Sequence, residues 1–137
     1  IILFSNRLLS IDILIFLASE VMKICICGGG SLGHVCAGVF AQMPDIELYL
    51  FTRHPDKWNE KLEIIDVKDR KFEASFSSVS SDPKLVIPDC DLVLLCLPGF
   101  LIKDTLLAIK PYLSLNTVVG SIVSNKVHVF LSKHIRC

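Results

Sequence analysis

The sequence has no excess of charge of either sign: 14 Lys and Arg stand against 14 Asp and Glu in 137 residues. Without a net field nothing draws the chain to nucleic acid or to an anionic membrane at long range, and binding either would need a local patch. No nucleic-acid partner is expected. An uncharged apolar run of the roughly 18 residues that would span a bilayer is also missing. The most apolar stretch, IILFSNRLLSIDILIFLASEV at residues 1–21, is broken by Arg7, Asp12 and Glu20. A secretory signal is equally ill supported, because the charge at the start is slight and no small-x-small cleavage site precedes Met22. Intrinsic disorder, which combines low hydrophobicity with high net charge, is excluded by a hydrophobic content of 52%.

Length sets the next limit. A chain of 137 residues holds one core of ordinary size but not a cofactor domain joined to a full substrate domain. No internal repeat, low-complexity tract or interdomain linker divides it. Met22 is followed at once by KICIC, a strand opening, so the domain is read as starting there. Residues 1–21 are then an upstream hydrophobic extension that need not belong to the working protein, a membrane-surface anchor being the lesser reading. The six cysteines, at positions 25, 27, 36, 90, 96 and 137, form no second CxxC or His-x3-His set that would complete a tetrahedral site, so no metal is expected. Thiols inside apolar runs behave as small hydrophobes, and this usage fits a reducing cytoplasm.

From Met22 onward, short β-rich runs alternate with helical ones. Residues 23–27, 46–52, 91–97 and 116–124 read as strands; their nearly continuous apolar character suits parallel strands covered on both faces. Residues 31–43 and about 100–110 read as helices. The first ends at Met43-Pro44-Asp45 because a residue before proline disfavours the α region. The second has Ile102, Leu106, Ile109 and Leu113 as its core face and Asp104 in its first turns, where the helix dipole favours a carboxylate. Between them, residues 62–67 and 71–76 read as a hairpin and 77–83 as a loop. Strands separated by helices imply βαβ units and right-handed crossovers. The expected fold class is therefore α/β, a Rossmann-type, doubly wound, mainly parallel sheet in a single domain over residues 22–124. Residues 125–137 are too short for another unit.

Gly28-Gly29-Gly30-Ser31-Leu32-Gly33 satisfies GxGxxG. The pattern is weak alone but meaningful here, since it follows a strand, opens a helix and precedes a second strand. Gly28 allows the tight turn, Gly30 lets the backbone approach a pyrophosphate, and Gly33 lets helix and strand pack closely. Unpaired N–H groups around Ser31, Leu32 and Gly33 at the positive end of the helix dipole favour an anion. Gly33, Ala37 and Ala41 continue as a stripe of small residues toward the sheet. A glycine turn without a ligand is the bland alternative, and flavin and S-adenosylmethionine share the remainder with nicotinamide nucleotides.

The end of the second strand helps to choose. NAD-specific sites usually place Asp or Glu about 20 residues past the turn, to bind the ribose hydroxyls. Here Thr52-Arg53-His54 occupies that place. A guanidinium can pair with the 2′-phosphate that a carboxylate would repel, so Arg53 favours NADP(H), with NAD(H) still open. His54 reads as a surface residue and His34 as a helix side chain near the phosphates. The turn at Leu97, Pro98 and Gly99 lies at the carboxyl end of a parallel strand, where open α/β sheets bind ligands. It borders either the cofactor or nothing.

Together, KICICGGGSLGHVCAGVFA, LFTRHPDKW, DCDLVLLCLPGF and IKPYLSLNTVVGSIVS resemble the amino-terminal domain of the octopine/nopaline (opine) dehydrogenases. More broadly they resemble the superfamily of ketopantoate reductase, glycerol-3-phosphate dehydrogenase and 6-phosphogluconate dehydrogenase. The resemblance covers about residues 22–124. It implies that Gly28, Gly30 and Gly33 hold a pyrophosphate, Arg53 the adenosine ribose side, and Leu97-Pro98-Gly99 the nicotinamide side. In those enzymes a following helical domain supplies the catalytic His and Asp. Nothing here matches it, and no catalytic role is carried onto His128 or His134. The expectation is a C-terminally truncated cofactor-binding domain that meets a small-molecule substrate only with a further domain. In the full-length relatives, hydride passes to an imine of an amino acid and a 2-oxo acid. The rival readings are a stand-alone dinucleotide-binding or sensor module and a non-functional product.

Overall fold

Alternate residues of each central strand go to opposite faces, and both faces are apolar. In the computed structural model, which describes residues 21–123 and 126–131, strand β1 (Met22–Cys27) buries Ile24 and Ile26 on one side and Cys25 and Cys27 on the other. Strands β2 (Ile46–Phe51) and β5 (Leu92–Leu95) divide in the same way, with Leu48, Leu50 and Leu94 on the first side and Tyr49, Phe51, Val93 and Leu95 on the second. Helix α1 (Ser31–Phe40) covers the first side through Cys36 and Ala37. A short helix α2 (Pro83–Val86) and the longer α3 (Gly99–Ile109) cover the second through Val86 and Ile109. Period-2 burial on both faces explains why these strands read as continuous apolar runs.

With β3 (Lys61–Ile65), β4 (Lys71–Ser80), β6 (Val118–Val123) and β7 (Lys126–Leu131), the sheet has seven strands in the order β3-β4-β2-β1-β5-β6-β7. The five from β4 to β6 run parallel, and β3 and β7 flank them antiparallel. The register pairs Cys27 with Phe51 on one side and with Leu95 on the other. The carboxyl ends of β1, β2 and β5 therefore lie level. The chain leaves β1 for β2 in one direction and later returns to β5 on the opposite side, which opens a crevice at that point.

Several expectations are corrected. Residues 77–80, expected in a loop, continue β4 beside β2 after a register shift at Leu48/Tyr49. Main-chain pairing, to which Ser78 and Ser80 contribute as well as any residue while Ser77 is passed over at the shift, sustains the strand without an apolar rhythm. Helix α2 went unanticipated; Asp82 caps it by accepting the Lys84 N–H at 3.0 Å, with Pro83 in its first turn. Helix α1 stops at Phe40, where tighter bonds from Gln42 to Val39 and Met43 to Phe40 close the turn. Asp104 lies beyond the first turn of α3, which holds no acidic residue, because Pro98 caps the helix and Gly99 begins it. After β6, where no further element was expected, β7 pairs back from Lys126 opposite Val123. Residues 1–20 of the expected extension at 1–21, and residues 132–137 with His134, lie outside the described residues. Among the described residues no helix is long and apolar enough to cross a membrane.

Candidate functional site

The glycine turn is built by two packing demands and one open position. Gly28 has a φ of +121°, and a Cβ there would overlap the Cys96 carbonyl oxygen at the end of β5. A Cβ on Gly33 would overlap the Gly28 carbonyl oxygen, so α1 can reach the sheet only without one. Gly33 and Ala37 are buried and Ala41 is half-buried, as the small-residue stripe requires. Gly30 differs: its backbone is extended, at φ −85° and ψ −171°, and a Cβ there would meet no protein atom within 4 Å. Gly30 is the N-cap of α1 but no side chain caps the helix. The first helical bond runs from His34 N–H to the Gly30 carbonyl at 3.1 Å, and the N–H groups of Ser31, Leu32 and Gly33 have no acceptor among the described residues. His34 Nδ1–H donates to the same carbonyl at 2.9 Å, which leaves Nε2 free.

From this turn a cleft of about 750 Å³ opens over the carboxyl ends of β1, β2 and β5. On the β2 side, buried Thr52 donates its N–H to the Ser80 carbonyl and accepts the His54 N–H on its hydroxyl. Arg53, His54 and Lys57 line the same end, Lys57 from a 3₁₀ turn at Pro55–Lys57. Arg53 makes no ion pair with any described residue. Trp58 closes this wall, stacked on His34 with ring centroids 4.2 Å apart and an interplanar angle of 28°. On the β5 side, Leu97 is joined by Leu101 and Thr105, which share one face of α3.

Beneath the turn, the Cys96 thiol donates to Cys36 Sγ at 3.5 Å, between the end of β5 and α1. That bond draws the Cys36 pKa down and, with burial, pushes Cys96 far up. The Cys25 thiol, buried beside Cys27, is also pushed well up by burial. Among the described residues no three His, Cys, Asp or Glu side chains converge as a metal site.

Of the residues expected in the site, Gly28, Gly30, Thr52, Arg53 and Leu97 border the cleft directly. Ser31, Leu32 and Gly33 form the first turn of α1 behind it, and exposed Pro98 and Gly99 begin α3 without lining the wall. Lys57, Trp58, Leu101 and Thr105 were not anticipated. The i, i+4 spacing of Leu101 and Thr105 was visible in the sequence, but which face of α3 looks into the crevice was not.

Residues 24–124 match the ketopantoate reductase PanE/ApbA family model. The chain is 30% identical over 113 residues to opine dehydrogenase from Haliotis discus hannai, covering 72% of this chain and 28% of that protein. It is 26% identical over 115 residues to octopine dehydrogenase from Pecten maximus, covering 75% and 29%. In fold it is similar to octopine dehydrogenase in complex with NADH and pyruvate, with a TM-score of 0.66 at 22% identity over 72% of this chain and 28% of that one. It is also similar to a PanE/ApbA family ketopantoate reductase from Ralstonia eutropha JMP134, with a TM-score of 0.61 at 28% identity over 75% and 34%. The chain thus spans less than a third of the curated relatives' length. A glycine turn under an uncapped helix, set at the switch point of a parallel sheet, accompanies a sequence match along nearly all of the described domain, and the chain belongs to the ketopantoate reductase PanE/ApbA family.

Proposed function

We propose that the cleft binds a nicotinamide adenine dinucleotide, NADP(H) in preference to NAD(H), and that the chain is the cofactor-binding domain of an opine-dehydrogenase-like oxidoreductase. The observation that carries the reading is the open side of Gly30. No packing demand in the protein calls for glycine there, whereas a pyrophosphate lying against the backbone does. The free N–H groups of Ser31, Leu32 and Gly33 suit the same group. In this reading Gly28 and Gly33 shape the turn, Thr52 and Arg53 face the adenosine ribose, and Leu97, followed by Pro98 and Gly99, borders the nicotinamide. The preference for NADP(H) is supported by Arg53, His54 and Lys57 gathering at the end of β2 with no carboxylate among the cleft-lining residues.

The bound nucleotide supplies the chemistry, a hydride exchanged with an imine of an amino acid and a 2-oxo acid. The chain's own residues bind and orient it. At the Leu97 end the lining side chains include Leu101 and Thr105 but no acid or base, so substrate chemistry calls on groups other than these. The five described cysteines are free thiols, which supports a reducing, cytoplasmic setting.

Titration with NADPH and NADH, on wild type and Arg53→Ala, tests the reading. Losing a charge-assisted contact of about 1.5–3 kcal/mol should weaken NADPH by roughly tenfold or more and leave NADH nearly unchanged. Equal NADPH affinity in the two proteins rejects the NADP assignment, and no affinity for either nucleotide rejects the site.

A further inference from the structure

GxGxxG leaves its second position free, yet position 29 is glycine too, and the structure supplies a reason unconnected with phosphate. A Cβ on Gly29 would lie 2.8 Å from both Trp58 Nε1 and Thr52 Oγ1. The indole edge and the threonine hydroxyl therefore come down together on the bare backbone of the turn. Trp58 is held there from three sides. Its N–H bonds to the Pro55 carbonyl at 3.1 Å, its face stacks on His34, and its edge meets the core residue Phe76 with centroids 5.6 Å apart at 89°. Such aromatic pairs fix geometry as well as bury area.

The indole Nε1–H, by contrast, bonds to no described residue, and since no sealed-in side-chain nitrogen or oxygen among them lacks a partner, it is open to solvent on the wall that Trp58 gives to the cleft. An N–H open to the cleft in this way can donate to an acceptor on a bound ligand. The Thr52 oxygen already accepts from the His54 N–H, so its hydroxyl proton is available as a second donor. Two donors thus converge between the phosphate turn and the ribose end of β2, in a wall without a carboxylate. We propose that Trp58 is a binding residue of the cleft, its indole N–H donating, beside the Thr52 hydroxyl, to a ribose or phosphate oxygen of the adenosine half of the dinucleotide, and that Gly29 is glycine to admit it. The inference rests on the dinucleotide reading and adds to it a recognition residue outside the glycine motif.

Trp58 is the chain's single tryptophan, so its emission reports on this wall alone. Saturating wild type with NADP⁺, or with adenosine 2′,5′-bisphosphate as a probe lacking the nicotinamide half, is expected to change that emission. Trp58→Phe keeps a ring to stack on His34 but has no N–H, and calorimetry should show affinity for both probes reduced about fivefold with the melting temperature nearly unchanged. Gly29→Ala is expected to shift the emission before any ligand is added. Calorimetric binding to wild type without an emission change, or equal affinity in Trp58→Phe, overturns the role of Trp58 while leaving the dinucleotide site standing. If wild type binds neither probe, both fall.

Discussion

Four glycines in one turn are glycine for three different reasons, and substitution separates them. Alanine at Gly33 must push against the Gly28 carbonyl and is expected to destabilise the fold by about 2–4 kcal/mol, a backbone clash in a buried contact being among the costly kinds of substitution. Alanine at Gly30 meets only open space, so it should leave the melting temperature of the free protein almost unmoved while reducing dinucleotide affinity by about tenfold. Thermal denaturation and titration of the two variants should give opposite patterns. Tyr49 offers a test by pH. Burial first, then its 2.7 Å bond to Glu47, raises its pKa from 10 to about 12, and the same bond draws Glu47 down. A raised folded pKa means stability that is complete below pH 10 and is lost as pH climbs through 12. Wild type should therefore lose more stability than Tyr49→Phe across that window in alkaline denaturation. The tight turn at Gly28 and the close helix–strand contact at Gly33 could be read from spacing, because each follows from strand, turn and helix in immediate succession. The role of Gly29 could not, since its neighbours Thr52 and Trp58 arrive through another strand and a 3₁₀ turn.

At the scale of elements, strands with two buried faces announced themselves and those held by main-chain bonds did not. β1, β2 and β5 are apolar throughout because both of their faces pack. The second half of β4 is serine-rich and is a strand because β2 lies alongside it, a partner invisible from within the segment. The same dependence shows where β6 begins. Thr117, buried to 1% exposure, donates its hydroxyl to the Cys90 carbonyl at 2.8 Å and so ties the start of β6 to the turn before β5. Thr117→Val keeps the shape but leaves that carbonyl unpaired, which should cost about 1–2 kcal/mol in chemical denaturation. The two cross-strand ion pairs of the β3–β4 hairpin, Lys61–Glu73 and Lys71–Glu63, are exposed. Lys61→Ala should change stability by less than about 0.5 kcal/mol.

For the molecule as a whole, the sheet is most stable at its middle, where the site is anchored. β1 has strands on both sides and helices on both faces, whereas β3 is an edge strand with alternate residues exposed. Amide hydrogen exchange should therefore be slowest in β1 and β5 and fastest in β3, since local opening follows the density of buried contacts. A firm centre beneath the glycine turn lets the cleft walls be trimmed by mutation without unfolding the domain. The sequence by itself determined the α/β class, the order of the main strands and helices, the glycine turn and the absence of an acid at residues 52–54. All of these rest on neighbours along the chain, where hydrophobic period and glycine spacing leave a direct mark. Tertiary structure alone decided that Arg53, Lys57, Trp58, Leu97 and Thr105 share one cleft, that Gly29 lies under an indole, and that β4 and β7 complete the sheet. Those facts depend on which segments the strand order brings side by side, and contacts between distant parts of the chain leave no periodic trace in either partner.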